Sequence, residues 1–182
     1  KWIPISPNLA SRFQHMEDEY NKQVFMIVDI TNFGHYLMSL FIIALLPAIF
    51  EELIFRGALQ QVLEKWFKNA FWAILISSIL FSVVHLSYFG FLPRLFLGIL
   101  LGYVYYLGRD IKLNMLIHFI NNAVTVTILY ITAKDTTKDI KETMNETSPF
   151  YLQILGLIVI AVIFYQLKKR IKSNHPNIIL PE

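Results

Sequence analysis

The stretch LMSLFIIALLPAIFEELIFRGALQ, residues 37–60, begins as a run built for lipid and then places Glu51, Glu52 and Arg56 within six residues. A charged side chain at mid-bilayer depth costs about 2.5–3.5 kcal/mol on insertion scales. Three of them are not lipid-facing decoration. Glu52 and Arg56 are four apart, so they share a helix face and can pair. Glu51 is rotated from Glu52 by about 100° and points elsewhere. It therefore needs a partner, a proton or water.

The rest of the 182-residue chain has the same character. It is 55% hydrophobic and 16% charged, against about 25% charged in soluble domains. The composition is that of an integral membrane protein. No alternation runs long enough for a barrel, and no internal repeat or low-complexity tract is present. The expected fold is all-α, a polytopic membrane helical bundle. With no cysteine, a thiol nucleophile, a disulfide framework and a thiolate metal site are excluded. The net charge of +3 comes with scattered basic residues, so a nucleic acid is not an expected partner. The chain starts at Lys1 without a visible signal peptide, which reads as a fragment or a processed form.

A crossing helix needs about 20 mostly apolar residues. About five segments are expected to cross: 37–62, 69–89, 91–107, 111–133 and 149–167, with 91–107 the short one. Residues 1–36 read as a non-cytoplasmic loop or an interfacial amphipathic segment, 37–133 as a four-span core, and 134–182 as a polar loop, a final span and a basic tail. The tail sequence KKRIK (168–172), with Lys65, Lys68, Arg109 and Lys112 on the same side, predicts a cytoplasmic C-terminus. Asn145-Glu146-Thr147 matches the glycosylation triplet, a pattern that arises easily by chance.

Polar residues recur at helical spacing inside the spans. Ser78, Ser82 and His85 form one stripe, and Asn114, His118, Asn122 and Thr125 form another. Gly98 and Gly102 form a small-residue face for close helix packing. Taken singly, these read as a structural clamp, an interfacial histidine and interhelical glue. Together, on three spans, they predict a wet intramembrane cavity of Glu, His, His and Asn. A carboxylate and a histidine can hold and deprotonate a water. A second histidine and an amide can donate to the oxyanion formed on a carbonyl. Glu, His and His also suit a divalent metal such as zinc or iron. The H-E-x-x-H pattern is absent, and no G-x-S-x-G supports a serine elbow.

EELIFR (51–56), FSVVH (81–85) and HFINN (118–122) match E-E-x-x-x-R, F-x-x-x-H and H-x-x-x-N. In this order on successive spans, they resemble the motifs of the CPBP family, the CAAX-protease and bacteriocin-processing membrane proteins also called Abi. The resemblance covers about residues 37–133. It implies an all-helical intramembrane endopeptidase with Glu51 as general base and His85 helping to hold the water. His118 and Asn122 would stabilise the oxyanion, Glu52 and Arg56 would support the site by pairing, and Phe81 would pack beneath it. The resemblance implies no cofactor, although a divalent metal such as zinc stays open. A peptide or protein substrate and the lipid bilayer are the expected partners. A non-catalytic membrane scaffold or bacteriocin-immunity factor is the alternative. A transporter is disfavoured because no inverted repeat is visible.

One expectation conflicts with the rest. If the spans share a membrane edge near residues 66–68 and 111, Glu51 lies about 22–25 Å deep, His85 about 25 Å and His118 about 10 Å. Groups at such different depths do not share one water. Helix tilt, or a fourth span starting deeper, would reconcile them.

Overall fold

The computed structural model describes residues 7–27, 32–88 and 90–134. These form helices α1 (Pro7–Ile27), α2 (Phe33–Phe67), α3 (Ala70–Val83), α4 (Phe91–Gly108) and α5 (Ile111–Lys134), with no strand among them. The expected span at 149–167, the basic tail and the Asn145 triplet lie outside the described residues.

Three helices are long and apolar enough to cross a membrane: α2, α4 and the Ile111–Thr132 part of α5. The span expected at 69–89 is shorter than its apolar run. α3 stops at Val83, and a turn carries His85 past its end. A helix of 14 residues reaches about 21 Å at 1.5 Å per residue, short of the ~30 Å hydrocarbon layer. The shortest apolar helix is thus α3 rather than 91–107.

The ends are set by local chemistry. Asn32 caps α2 by accepting from the His35 N–H, and Asn69 caps α3 by accepting from the Phe71 and Trp72 N–H groups. Asp110 accepts from the Lys112 and Leu113 N–H groups at the start of α5. These side chains satisfy donors that a helix start leaves open. Lys68 and Arg109 adopt the left-handed conformation where α2 and α4 stop.

α2 is continuous but not uniform. It widens into π-type turns at Leu40–Leu45 and Leu53–Gln60. The first widening precedes Pro47, whose ring crowds the preceding turn and which lacks an N–H. There the Leu46 N–H bonds to the Phe41 carbonyl, five residues back. In the second, the Gln61 side chain donates to the Gly57 carbonyl at 2.7 Å, and also to the Arg56 carbonyl.

The widening decides which residues share a face. At about 3.6 residues per turn, each four-residue step drifts by about 40°, so Glu52 and Glu64 would diverge. Wider turns slow that drift, and Arg56, Gln60 and Glu64 all reach α4. α2 also changes neighbours along its length. Leu40–Glu52 packs chiefly on α5, and the part from Leu53 onward chiefly on α3. The glutamate pair sits at that changeover.

α3 and α4 pack closely along their length, through the glycine face. A Cβ on Gly98 would lie 3.0 Å from Ser78 Cβ, and one on Gly102 would lie 2.8 Å from Ile74 Cγ2. α5 starts deep: a Cβ on Gly57 would meet Ile111 Cδ1 at 3.2 Å. The first residue of α5 is therefore level with Gly57, not with the end of α2 at Phe67. This stagger resolves the depth conflict, because it lifts His118 towards Glu51.

Candidate active site

Glu52 is completely buried and fully engaged. Its Oε1 accepts from Arg56 Nη1 at 2.8 Å and contacts His118 Nδ1 at 2.9 Å; its Oε2 accepts from Asn114 Nδ2 at 3.1 Å. An ionised carboxylate only accepts, so Nδ1 is the donating nitrogen of His118. Arg56, also buried, donates from Nη2 to the Gly98 carbonyl at 2.9 Å, and its guanidinium carbon lies 5.1 Å from the centre of the Phe81 ring.

Phe81 packs edge-on to Phe55, His85 and His118, with ring centres 5.2, 5.0 and 5.8 Å away. It forms an apolar floor between the two histidines. Its carbonyl accepts from His85 Nδ1 at 2.7 Å. Since a carbonyl only accepts, His85 carries a proton on Nδ1 and turns Nε2 outward.

Glu51 meets both outward nitrogens. Its Oε1 lies 3.8 Å from His85 Nε2 and its Oε2 lies 3.6 Å from His118 Nε2. Both distances exceed a hydrogen bond. Glu51 keeps 25% of its side chain exposed, while its Oε2 is buried without a hydrogen-bond partner. A carboxylate and two imidazole nitrogens therefore converge without touching, in a spacing suited to a small molecule that both donates and accepts.

Asn122 lies one turn beyond His118 on α5 and is half-buried. Its amide oxygen accepts locally, from Asn121 Nδ2 at 3.2 Å. The other stripe members divide. Asn114 is buried against Glu52 and the Leu101 carbonyl, whereas Thr125 is exposed and bonds back to the Asn121 carbonyl. On α3, Ser78 bonds to its own helix at Ile74, and Ser82 ties α3 to the Phe91 carbonyl at 2.6 Å. These serines are packing elements rather than part of the Glu51 pocket.

Sequence reasoning gave Asn114 no site role, and missed Gln60 and Glu64 altogether. The available signal was the four-residue spacing Glu52, Arg56, Gln60, Glu64, whose significance appears only once the helix widens.

The family model for type II CAAX prenyl endopeptidase, Rce1-like, matches residues 33–124, just over half of the chain. The chain belongs to this family. No curated protein and no solved structure matches it. The matched region runs from the start of α2 to the middle of α5, and so contains every residue of the site. This Rce1-like membership agrees with the resemblance of the three motifs to CAAX-protease membrane proteins, and it supports a CAAX-type endopeptidase in a membrane setting. The donor types of Glu51, His85 and His118 suit zinc, yet no group of three His, Cys, Asp or Glu side chains that could hold a metal forms among the described residues.

Proposed function

We propose that this Rce1-like protein hydrolyses a peptide bond of a membrane-associated substrate with a water activated by Glu51. The observation that carries the reading is the approach of the Glu51 carboxylate to Nε2 of both His85 and His118. A water between Glu51 and His85 donates to both. As it attacks the scissile carbonyl, Glu51 takes its proton, and the carbonyl oxygen becomes an oxyanion. The Asn122 amide donates to that oxygen, joined by His118 when it carries a proton on Nε2 as well as on Nδ1. When the tetrahedral species collapses, the C–N bond breaks and the departing amine takes the proton from Glu51.

Glu52 and Arg56 act by fixing the His118 ring.

The substrate class is a CAAX-type prenylated peptide. A cleft of about 180 Å³ lies at the end of α3, lined by Phe13 and Met16 of α1 and by Ser82, Leu86, Tyr88 and Phe91. It is mainly apolar and suits a hydrocarbon chain. The end of the bundle with Lys65, Lys68, Arg109 and Lys112 faces the cytoplasm. Exposed Trp66, Phe71 and Trp72 lie at the same end and suit the interfacial belt where aromatic rings collect.

The test uses purified protein in detergent, wild type and Glu51→Gln, with a prenylated CAAX peptide and its unprenylated twin. Removing a general base lowers kcat by about 10²–10⁴-fold, and the prenylated peptide is the better substrate. Equal turnover by the two proteins would sink the role of Glu51. Stoichiometric zinc whose removal abolishes turnover would overturn the metal-free chemistry.

A further inference from the structure

Arg56 and Gln60 make the same kind of contact one turn apart. Arg56 donates to the Gly98 carbonyl and to a carboxylate four residues earlier, Glu52. Gln60 donates to the Gly102 carbonyl at 3.1 Å and to a carboxylate four residues later, Glu64, at 3.0 Å. Both interhelical bonds join positions 42 apart. α2 and α4 therefore run side by side without a register slip over this turn. Gln60 is completely buried, in a part of α2 that the catalytic reading does not use. Glu64 extends the ladder, since its Oε2 accepts from Arg109 Nη2 at 2.7 Å.

A buried glutamine in a lipid-embedded helix is expensive unless its amide is paired. Here the amide nitrogen spends both donors on defined acceptors, while Oε1 is buried without a partner. The Gly102 carbonyl is fixed by Gln60, and the Gly98 carbonyl one turn away on the same rigid helix is fixed with it. That second carbonyl holds Arg56, Arg56 holds Glu52, and Glu52 Oε1 holds His118 Nδ1.

We propose that Gln60 is a positioning residue: by locking the register of α4 on α2, it sets the Arg56–Glu52–His118 chain and thereby the direction of His118 Nε2 towards Glu51. Its influence on turnover rests on the proposed hydrolase, whereas its influence on the His118 ring does not.

The experiment compares wild type with Gln60→Leu, which keeps volume but removes the donors, and Gln60→Lys, which restores a donor towards both Gly102 and Glu64. Each full-length protein is labelled with ¹⁵N-histidine in detergent, and His118 is assigned by its disappearance in His118→Gln. The His118 Nδ1–H signal of the wild type is expected to weaken or shift in Gln60→Leu and to return in Gln60→Lys. With a prenylated peptide, Gln60→Leu lowers kcat about tenfold, in keeping with displacement of a catalytic group by a fraction of an ångström, while KM stays within about twofold. A His118 signal in folded Gln60→Leu identical to wild type overturns the proposal. So does a Gln60→Leu loss that Gln60→Lys does not rescue, since that marks a purely structural residue. If wild type cleaves no peptide but the His118 signal responds as described, the positioning role stands and the hydrolase reading falls. If Gln60→Leu does not fold, Gln60→Lys decides alone: an altered His118 signal in the folded lysine variant overturns the proposal, and a retained one supports it.

Discussion

Glu51 and Glu52 are neighbours in sequence and opposites in structure. On the Glu52 side, the polar groups run down α2 through Arg56, Gln60 and Glu64, and their principal contacts are hydrogen bonds of 2.7–3.1 Å to α4, α5 or one another. On the Glu51 side, the nearest charged or imidazole groups stand at 3.6–3.8 Å, and a quarter of the side chain is exposed. The turn beyond His85 places Leu86 at φ 52 with its side chain two-thirds exposed. The first side is tied together by these bonds even though Arg56 Nε, Gln60 Oε1 and Asn114 Oδ1 are buried without a partner, whereas on the second side Glu51 Oε2 has none and no short bond holds the carboxylate. The first region supplies rigidity, and the second retains capacity for water and substrate.

The comparison is tested most severely at Arg56. Removing one partner of a buried ion pair costs about 3–5 kcal/mol, so Arg56→Ala should lose most of its folded, monodisperse yield in detergent. Glu51→Gln should fold as well as wild type despite its loss of turnover. Similar melting temperatures for Arg56→Ala and wild type would remove the distinction between the two sides. Arg56→Lys should fall between them, because an ammonium does not reproduce a fork reaching both Glu52 and Gly98.

A smaller effect sharpens the role of close packing. Gly102→Ala places a methyl 2.8 Å from Ile74 Cγ2, and overpacking of this kind costs about 1–3 kcal/mol. Ile74→Ala in the same chain should recover part of that loss. A double variant no more stable than the sum of the two single effects would show that Ile74 is not the group the added methyl displaces.

The smallest effect lies at Leu86. A left-handed conformation costs a residue with a Cβ about 1–2 kcal/mol, while glycine adds about 0.5–1 kcal/mol of unfolded-chain entropy. Leu86→Gly should therefore raise stability by no more than about 1.5 kcal/mol, read as a small increase in melting temperature. A clear decrease would mean that the Leu86 side chain contributes packing that outweighs its backbone strain.

Much of this protein was legible before its folding was known. The apolar runs gave an all-helical membrane bundle, because lipid leaves backbone groups no other partner. Glu51, Glu52, Arg56, Phe81, His85, His118 and Asn122 could be singled out because ionisable and amide groups stand out against so apolar a background. The end of α3 was less legible: the apolar run continues past Val83, and nothing in hydropathy marks the turn that carries His85.

The sequence by itself determined the kind of molecule and its chemical inventory, since composition and helical period depend on local properties alone. Only the tertiary structure decided which groups meet. The widening of α2 keeps Glu52, Arg56, Gln60 and Glu64 in line, and the deep start of α5 against Gly57 raises His118 to Glu51. Helix stagger and turn width are set by packing between segments far apart in the chain, so no single segment encodes them.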